Sequence, residues 1–443
     1  MVQLAQFPLT SNHLPSIRGA PPISGLPEIG GPGMTTERLA QIHRCWQPST
    51  SRGCLAGGPK KANIHAGSTD NLGNPEYFAG LLRTWSRSLF ARHAAAANPD
   101  TNAGGGLAQW EPEKTWVFAV GVLSYPSGQA WPEDGRRDAD MISQLQARGV
   151  PAGQITFIKD ENATLAAVRT SFDAFMAKAP ADAILWLYFA GHGTKRKSGV
   201  SEFALYDEPW PIPDVFSTIE RRFPGNTALL FADCCYSGSL GTEATLRAGR
   251  VSYGAITSSL ASTASTGAWT FTECLIAGLR GAIPLSADGD GLITFAELAR
   301  FAEREMAFND GQLSTFVATN GFDPGLVLAS GIRRAHPLIG EYVEAKWNDG
   351  KWYPGRIEKV DGSTFWIRWA GYKESENEGI QDSNIRPFVP TQHAPGTRLD
   401  VEWQGSWYPA EVLTGRWGMH LVHYDNFEPV WDEWVSSSRI RLK

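Results

Sequence analysis

The chain has 443 residues, 42% of them hydrophobic, and 40 Lys or Arg against 46 Asp or Glu give a formal net charge of −6. This is an ordinary soluble composition with enough length for two or three packed domains, and its acidic balance argues against general affinity for nucleic acid or an anionic membrane, both of which demand a basic surface. The five cysteines (Cys45, Cys54, Cys234, Cys235 and Cys274) are odd in number and lack metal-ligand spacing, so free thiols in a reducing compartment are expected rather than a disulfide framework or a zinc site.

In chain order, Met1-Val-Gln-Leu-Ala-Gln-Phe-Pro-Leu-Thr has no basic head and no unbroken apolar stretch, and no segment approaches bilayer-spanning length, so a cytoplasmic protein is expected. Residues 1–111 read as a partly ordered amino-terminal extension, with Pro and Gly clusters around one helix near Glu76 to Ala97. A domain over 112–331 begins with the strand Thr115-Trp-Val-Phe-Ala-Val-Gly-Val122, a helix through Asp138-Ala-Asp-Met-Ile-Ser-Gln-Leu and the strand Gln154-Ile-Thr-Phe-Ile158. A helix from Ala163 to Ala177, a strand ending at His192, a helix from Pro213 to Arg222 and a strand ending at Cys235 come next. Val251–Ser258 (strand), Thr270–Leu279 and Phe295–Phe308 (helices) follow, with Gly325-Leu-Val-Leu as the closing strand. This alternation predicts an α/β fold, a mostly parallel sheet flanked by helices.

Beyond it the chain repeats itself. Val343-Glu-Ala-Lys-Trp347 with Gly350-Lys-Trp-Tyr-Pro-Gly355 is echoed by Val401-Glu-Trp403 with Gly405-Ser-Trp-Tyr-Pro-Ala410. Period-two apolar alternation broken by turn residues makes each copy, 339–389 and 395–443, a small all-β barrel of roughly five strands.

Two apolar runs, Leu185-Trp-Leu-Tyr-Phe-Ala-Gly-His192-Gly and Leu229-Leu-Phe-Ala-Asp233-Cys-Cys235-Tyr-Ser-Gly238, read as strands buried on both faces. Each stops at a reactive side chain, at the carboxyl ends of strands where open α/β sheets place their ligand crevice. A histidine and a thiol brought together there make a base and a nucleophile, the parts of a cysteine protease. The vicinal Cys234-Cys235 pair also admits a redox switch as an alternative.

Gly191-His192-Gly193 and Asp233-Cys234-Cys235-Tyr236-Ser237-Gly238 resemble the two motifs of the caspase-like cysteine peptidases, in their metacaspase and bacterial caspase-like branch. The resemblance covers residues 112–330. It implies that Cys235 rather than Cys234 is the nucleophile, that His192 acts as base and then acid, and that the backbone amides of Gly193 and Cys235 bind the oxyanion. Gly135-Arg136-Arg137-Asp138 does not match the Arg-x-Gly context with which animal caspases hold a substrate aspartate. Asp233 stands where metacaspases use a carboxylate to hold Arg or Lys, so cleavage after basic residues is expected, with Asp207 and Glu208 adding negative charge. The other reading of Asp233 is a carboxylate that caps a turn or helix. Lys197, Arg247 and Arg250 lie in basic stretches that read as processing sites of a zymogen or as exposed loop charges.

Ser286-Ala-Asp288-Gly-Asp290-Gly-Leu-Ile-Thr-Phe-Ala-Glu297 nearly fits a calcium loop, with Ser in place of the first carboxylate. Calcium at Asp288, Asp290 and Glu297 is one reading and a capped turn into the following helix the other; no cofactor is required. The two carboxyl-terminal copies resemble tudor or chromo-barrel modules, which implies an aromatic cage for a cationic side chain, assigned in copy two to Trp403, Tyr408, Tyr424, Trp431 and Trp434. Aligned at an offset of 55, Trp431 and Trp434 become Glu376 and Gly379, leaving copy one without a complete cage. From Ile339 onward, twelve Lys or Arg face sixteen Asp or Glu, a net of −4 that favours a peptide partner over nucleic acid. The resulting expectation is a regulated cysteine endopeptidase of a bacterial cell-death or defence pathway. It acts on protein substrates and is switched on by proteolysis, calcium or a partner protein. Its competitor is a catalytically silent caspase-like scaffold that works through its barrels.

Overall fold

The computed structural model describes residues 107–442 except 127, 129, 130, 132–134, 266, 283–290, 332–334, 337 and 373–375. The expected helix near Glu76 to Ala97 therefore lies outside the described residues, as do Ser286, Asp288 and Asp290. Among the described residues no helix is long and apolar enough to cross a membrane.

Six strands form the main sheet: β1 (Thr115–Gly121), β2 (Ile155–Lys159), β3 (Ile184–Ala190), β7 (Thr227–Asp233), β8 (Ser252–Thr257) and β10 (Thr315–Thr319). Their spatial order is β10-β8-β7-β3-β1-β2, and all pair in parallel except β10, which runs antiparallel to β8 at one edge. Side chains alternate across the sheet with period two, and β3 feeds both faces. Leu185, Leu187 and Phe189 join one core with helices α2 (Leu165–Lys178), α3 (Ile212–Arg222) and α4 (Ser239–Leu246). Trp186, Tyr188 and Ala190 join the other with α1 (Arg137–Ala147), α5 (Thr270–Leu279) and α6 (Phe295–Asp310). Burying a Leu or Phe side chain contributes about 1.5–3 kcal/mol, so these two unbroken apolar strands anchor the fold. A side sheet of β4 (Gly193–Lys195), β5 (Ser201–Phe203) and β6 (Trp210–Pro211) grows directly from the end of β3.

Three expectations change. The strand closing the main sheet is β10, not the segment after Gly325. Val327–Ser330 (β11) instead pairs with Leu292–Thr294 (β9) in a separate two-stranded sheet. The stretch after the Cys235 turn, read as loop, contains helix α4. Arg247 ends that helix, paired with Glu243 at 2.9 Å and stacked on Phe216, while Arg250 donates to the carbonyls of Phe223 and Gly225. Both arginines are thus engaged, while Arg247 has extended backbone, Ala248, Gly249 and Arg250 are exposed, and Lys197 is exposed at the β4–β5 turn.

The carboxyl-terminal repeats are all-antiparallel five-stranded barrels with one topology. Barrel 1 contains β12 (Tyr342–Lys346), β13 (Trp352–Asp361), β14 (Thr364–Trp369), β15 (Glu378–Gln381) and β16 (Ile385–Pro387), in the order β15-β14-β13-β12-β16. Barrel 2 contains β17 (Arg398–Trp403), β18 (Ser406–Arg416), β19 (Met419–Tyr424), β20 (Glu433–Ser436) and β21 (Ile440–Leu442), in the order β20-β19-β18-β17-β21. The bulge between Ile357 and Lys359 recurs between Val412 and Thr414.

Both barrels dock on α6, which starts with a capping box between Thr294 and Glu297 and ends at the left-handed Gly311. From barrel 1, Arg356 pairs with Glu305 at 2.8 Å and Tyr342 packs on Phe308. From barrel 2, Arg416 pairs with Glu303 at 3.1 Å, and Met419 packs in a small core with Ala307 and Leu313.

Candidate active site

β3 and β7 pair in parallel with Ala190 opposite Asp233. His192 and Cys235 therefore each stand two residues beyond one shared rung, on strands roughly 5 Å apart. Past β7 the chain turns sharply: Tyr236 adopts a left-handed φ of 58° and its N–H donates to Thr263 O at 2.9 Å. Gly193 approaches so closely that a Cβ placed on it would lie 1.9 Å from the Cys235 carbonyl oxygen, which explains why the position after His192 is glycine. Its N–H reaches the Cys235 sulfur. A second donor, the Ser265 N–H from the segment after β8, meets the sulfur at 3.2 Å.

The Cys235 turn is tied to that segment by hydroxyls with no solvent exposure. Ser237 Oγ bonds Ser259 Oγ at 3.0 Å, Ser259 Oγ donates to Cys234 O at 3.0 Å, and the Cys234 N–H donates to Ser258 Oγ at 3.1 Å. Gln312, between α6 and β10, closes the arrangement by donating to Ser258 O at 2.7 Å and Ser265 Oγ at 3.3 Å. None of these supports was read from the sequence, because serines and a glutamine 20 to 80 residues away carry no local signal of their destination.

Burial holds the His192 pKa below its ordinary 6.5. Burial likewise raises Cys235 above its ordinary 9.0, opposed by the Ser265 and Gly193 N–H groups. Near neutral pH the pair is therefore imidazole and thiol, both uncharged. Cys234 is only 1% exposed, and burial pushes its thiol well up, so it packs as a small apolar side chain.

The other sequence-derived site residues are placed as follows. Asp233 is 0% exposed, and its Oδ2 accepts the N–H and the hydroxyl of Thr272, at 3.3 and 2.7 Å, in the first turn of α5. Through Oδ2 it thus caps a helix, the alternative reading. Asp207 accepts the N–H groups of Leu165 and Glu208, both at 2.7 Å, at the start of α2. Glu297 belongs to the α6 capping box, and no group of three or more metal-ligating side chains occurs among the described residues.

In barrel 2, Tyr408, Tyr424 and Phe427 meet edge to face at interplanar angles of 66° to 87° with centroids 6.1 to 6.3 Å apart, and Trp403 lies 6.0 Å from Tyr408. Among the other expected members, Trp434 falls elsewhere. Trp434 lies beneath Arg416 on the α6 side, and Trp431 is 41% exposed on a short turn. Phe427 was missed, although a signal existed. Asn426 takes a left-handed φ of 65°, and Phe427 N–H returns to Tyr424 O at 3.2 Å, folding the ring back. Barrel 1 has the same turn at Gly371 and Tyr372. By strand register Trp347, Tyr353, Trp369 and Tyr372 correspond to Trp403, Tyr408, Tyr424 and Phe427. Copy one therefore retains the aromatic set that the Glu376 and Gly379 alignment denied it.

A family profile described as Tudor-knot, "RNA binding activity-knot of a chromodomain", matches residues 394–442. No curated protein matches the chain. Among solved structures, protein GSU0716 from Geobacter sulfurreducens is 16% identical, with 49% of this chain and 100% of that chain covered and a TM-score of 0.37. Caspase-1 from Spodoptera frugiperda is 14% identical, with coverages of 54% and 97% and a TM-score of 0.38. The AGD34 segment of Arabidopsis thaliana AGDP1 is 18% identical, with coverages of 24% and 80% and a TM-score of 0.12.

Proposed function

We propose that this protein is a cysteine endopeptidase in which Cys235 is the nucleophile and His192 the base. The observation that carries this reading is the shared rung, which delivers both side chains from adjacent strands with the Gly193 N–H already at the sulfur. His192 takes the thiol proton as Sγ attacks the substrate carbonyl, and the oxyanion meets the N–H groups of Gly193 and Cys235. Preorganised donors of this kind each lower the barrier by about 3 kcal/mol. The imidazolium then protonates the leaving amine, and a water deprotonated by His192 releases the acyl group and restores the thiol.

Cleavage after Arg or Lys is part of the proposal, supported by charge instead of by a direct contact with Asp233. Asp138 and Asp160 pair with Arg136 near the carboxyl ends of the strands, Asp233 ends β7, and this excess of carboxylates favours a basic substrate residue. The test is hydrolysis of fluorogenic peptides ending in Arg, Lys or Asp, with and without calcium and after treatment with an activating protease. Arg and Lys peptides are expected to be cleaved. Cleavage after Asp alone overturns the specificity, a rise with calcium assigns the loop 286–297 to that ion, and silence throughout favours the scaffold.

The barrels are assigned to recruitment of a peptide, with Trp403, Tyr408, Tyr424 and Phe427 enclosing a cationic side chain through their ring faces. Titration of the full chain with a trimethyl-lysine peptide is expected to give saturable binding that Tyr408→Ala weakens at least about tenfold. Tighter binding of an RNA oligonucleotide, unaffected by that substitution, would reverse the assignment.

A further inference from the structure

We propose that Tyr125 is a positioning residue for His192, its hydroxyl spliced into the strand pairing that carries the base. The inference rests on reading His192 as that base. β4 and β5 run antiparallel with Gly193 opposite Phe203, so the next pair along the ladder is His192 and Ala204. In such a pair two residues exchange both of their N–H···O bonds. One rung is present, Ala204 N–H to His192 O at 2.9 Å. The reciprocal rung passes through a side chain: Tyr125 Oη accepts the His192 N–H at 2.9 Å and donates to Ala204 O at 3.2 Å.

A direct N–H···O rung spans roughly 3 Å, whereas two bonds in series hold the groups considerably farther apart. A single hydroxyl thus sets how far the His192 backbone stands from β5. The space for it is made by Gly191, whose φ is +153° and where an added Cβ would lie 2.9 Å from the Tyr125 oxygen and 2.8 Å from Val122 O. The Tyr125 ring serves the same residue, with its centroid 5.1 Å from the imidazole, and the Trp131 ring lies 6.1 Å from it. Among the described residues no side chain or carbonyl hydrogen-bonds to the imidazole, so its placement follows from its backbone and these two rings. Without the hydroxyl, either the ladder closes and draws His192 toward Ala204, or two backbone groups lose their partner.

Tyr125→Phe keeps the ring and removes the oxygen. Two quantities are read: kcat and KM on the peptide that the wild type cleaves, and the pH profile of Cys235 alkylation by iodoacetamide, compared with that of His192→Ala. Expected are a melting temperature near that of the wild type, a fall in kcat of about 10- to 100-fold with KM unchanged, and an alkylation profile shifted toward that of His192→Ala. A variant with wild-type kcat and wild-type alkylation profile overturns the proposal, as does a loss confined to KM. If the wild type cleaves no peptide, the peptidase reading fails on its own, and the alkylation profiles still decide whether Tyr125 sets the imidazole against the thiol.

Discussion

Cys235→Ala is expected to lower kcat for peptide hydrolysis by about 10⁴-fold or more, because no other group replaces the attacking sulfur. Cys234→Ala is expected to leave kcat/KM within about threefold, since that thiol is buried, points to no substrate and packs as a small apolar group. The contrast between adjacent cysteines makes the test specific: equal losses from both would point to the vicinal redox pair instead. The pH dependence follows from the two environments. Hydrolysis needs neutral imidazole, and burial lowers the His192 pKa, so the midpoint of its protonation, and with it the midpoint of the acid limb of kcat/KM, lies below its ordinary 6.5. The Cys235 thiol is shifted the opposite way, so its alkylation in the free protein keeps rising beyond pH 9.0. An acid limb with its midpoint above pH 7 would contradict this electrostatic account.

Arg356→Leu is expected to destabilise the chain by about 3–5 kcal/mol. The Arg356 side chain is 11% exposed and the Glu305 side chain 6%, so removal of the guanidinium leaves a carboxylate in the barrel 1–α6 interface with the neutral donors Tyr342 and Asn309 as its partners. At about 2–4 °C per kcal/mol, this is a fall of roughly 10 °C in melting temperature. Replacing both partners by Leu is expected to recover most of the loss, because an apolar pair needs no desolvation of charge. If the single variant melted like the wild type, barrel 1 would be held by its other contacts, among them Phe308 against Tyr342 and Phe388 and the Arg368–Glu273 pair at 2.8 Å.

The interface matters because α6 leads into Gln312, which holds the segment carrying Ser265 against Cys235, while Leu313 packs on Met419 of barrel 2. The sheet domain and the barrels lie within one compact unit, so the repeats are built into the support of the site.

Sequence alone determined the features that are local in period and composition. An unbroken apolar run has only one comfortable place, the interior of a sheet, so Leu185–Ala190 and Leu229–Asp233 announced two central strands and a histidine and a cysteine at their ends. The repeated Trp-Tyr-Pro hairpins announced two barrels for the same reason. Edge strand β10 stayed hidden because its partly exposed pattern resembles ordinary loop, and α4 because an eight-residue helix of small side chains has little periodicity. Tertiary structure decided everything that depends on a partner. It set Asp233 against Thr272 in the first turn of α5, placed Trp434 beneath Arg416 and Phe427 beside Tyr408 and Tyr424, and brought Tyr125 from 67 residues away to the backbone of His192. A carboxylate, an indole or a hydroxyl bonds to whatever the fold brings within about 3 Å, and that choice is made by the packing of distant segments, not by the neighbours of the residue in the chain.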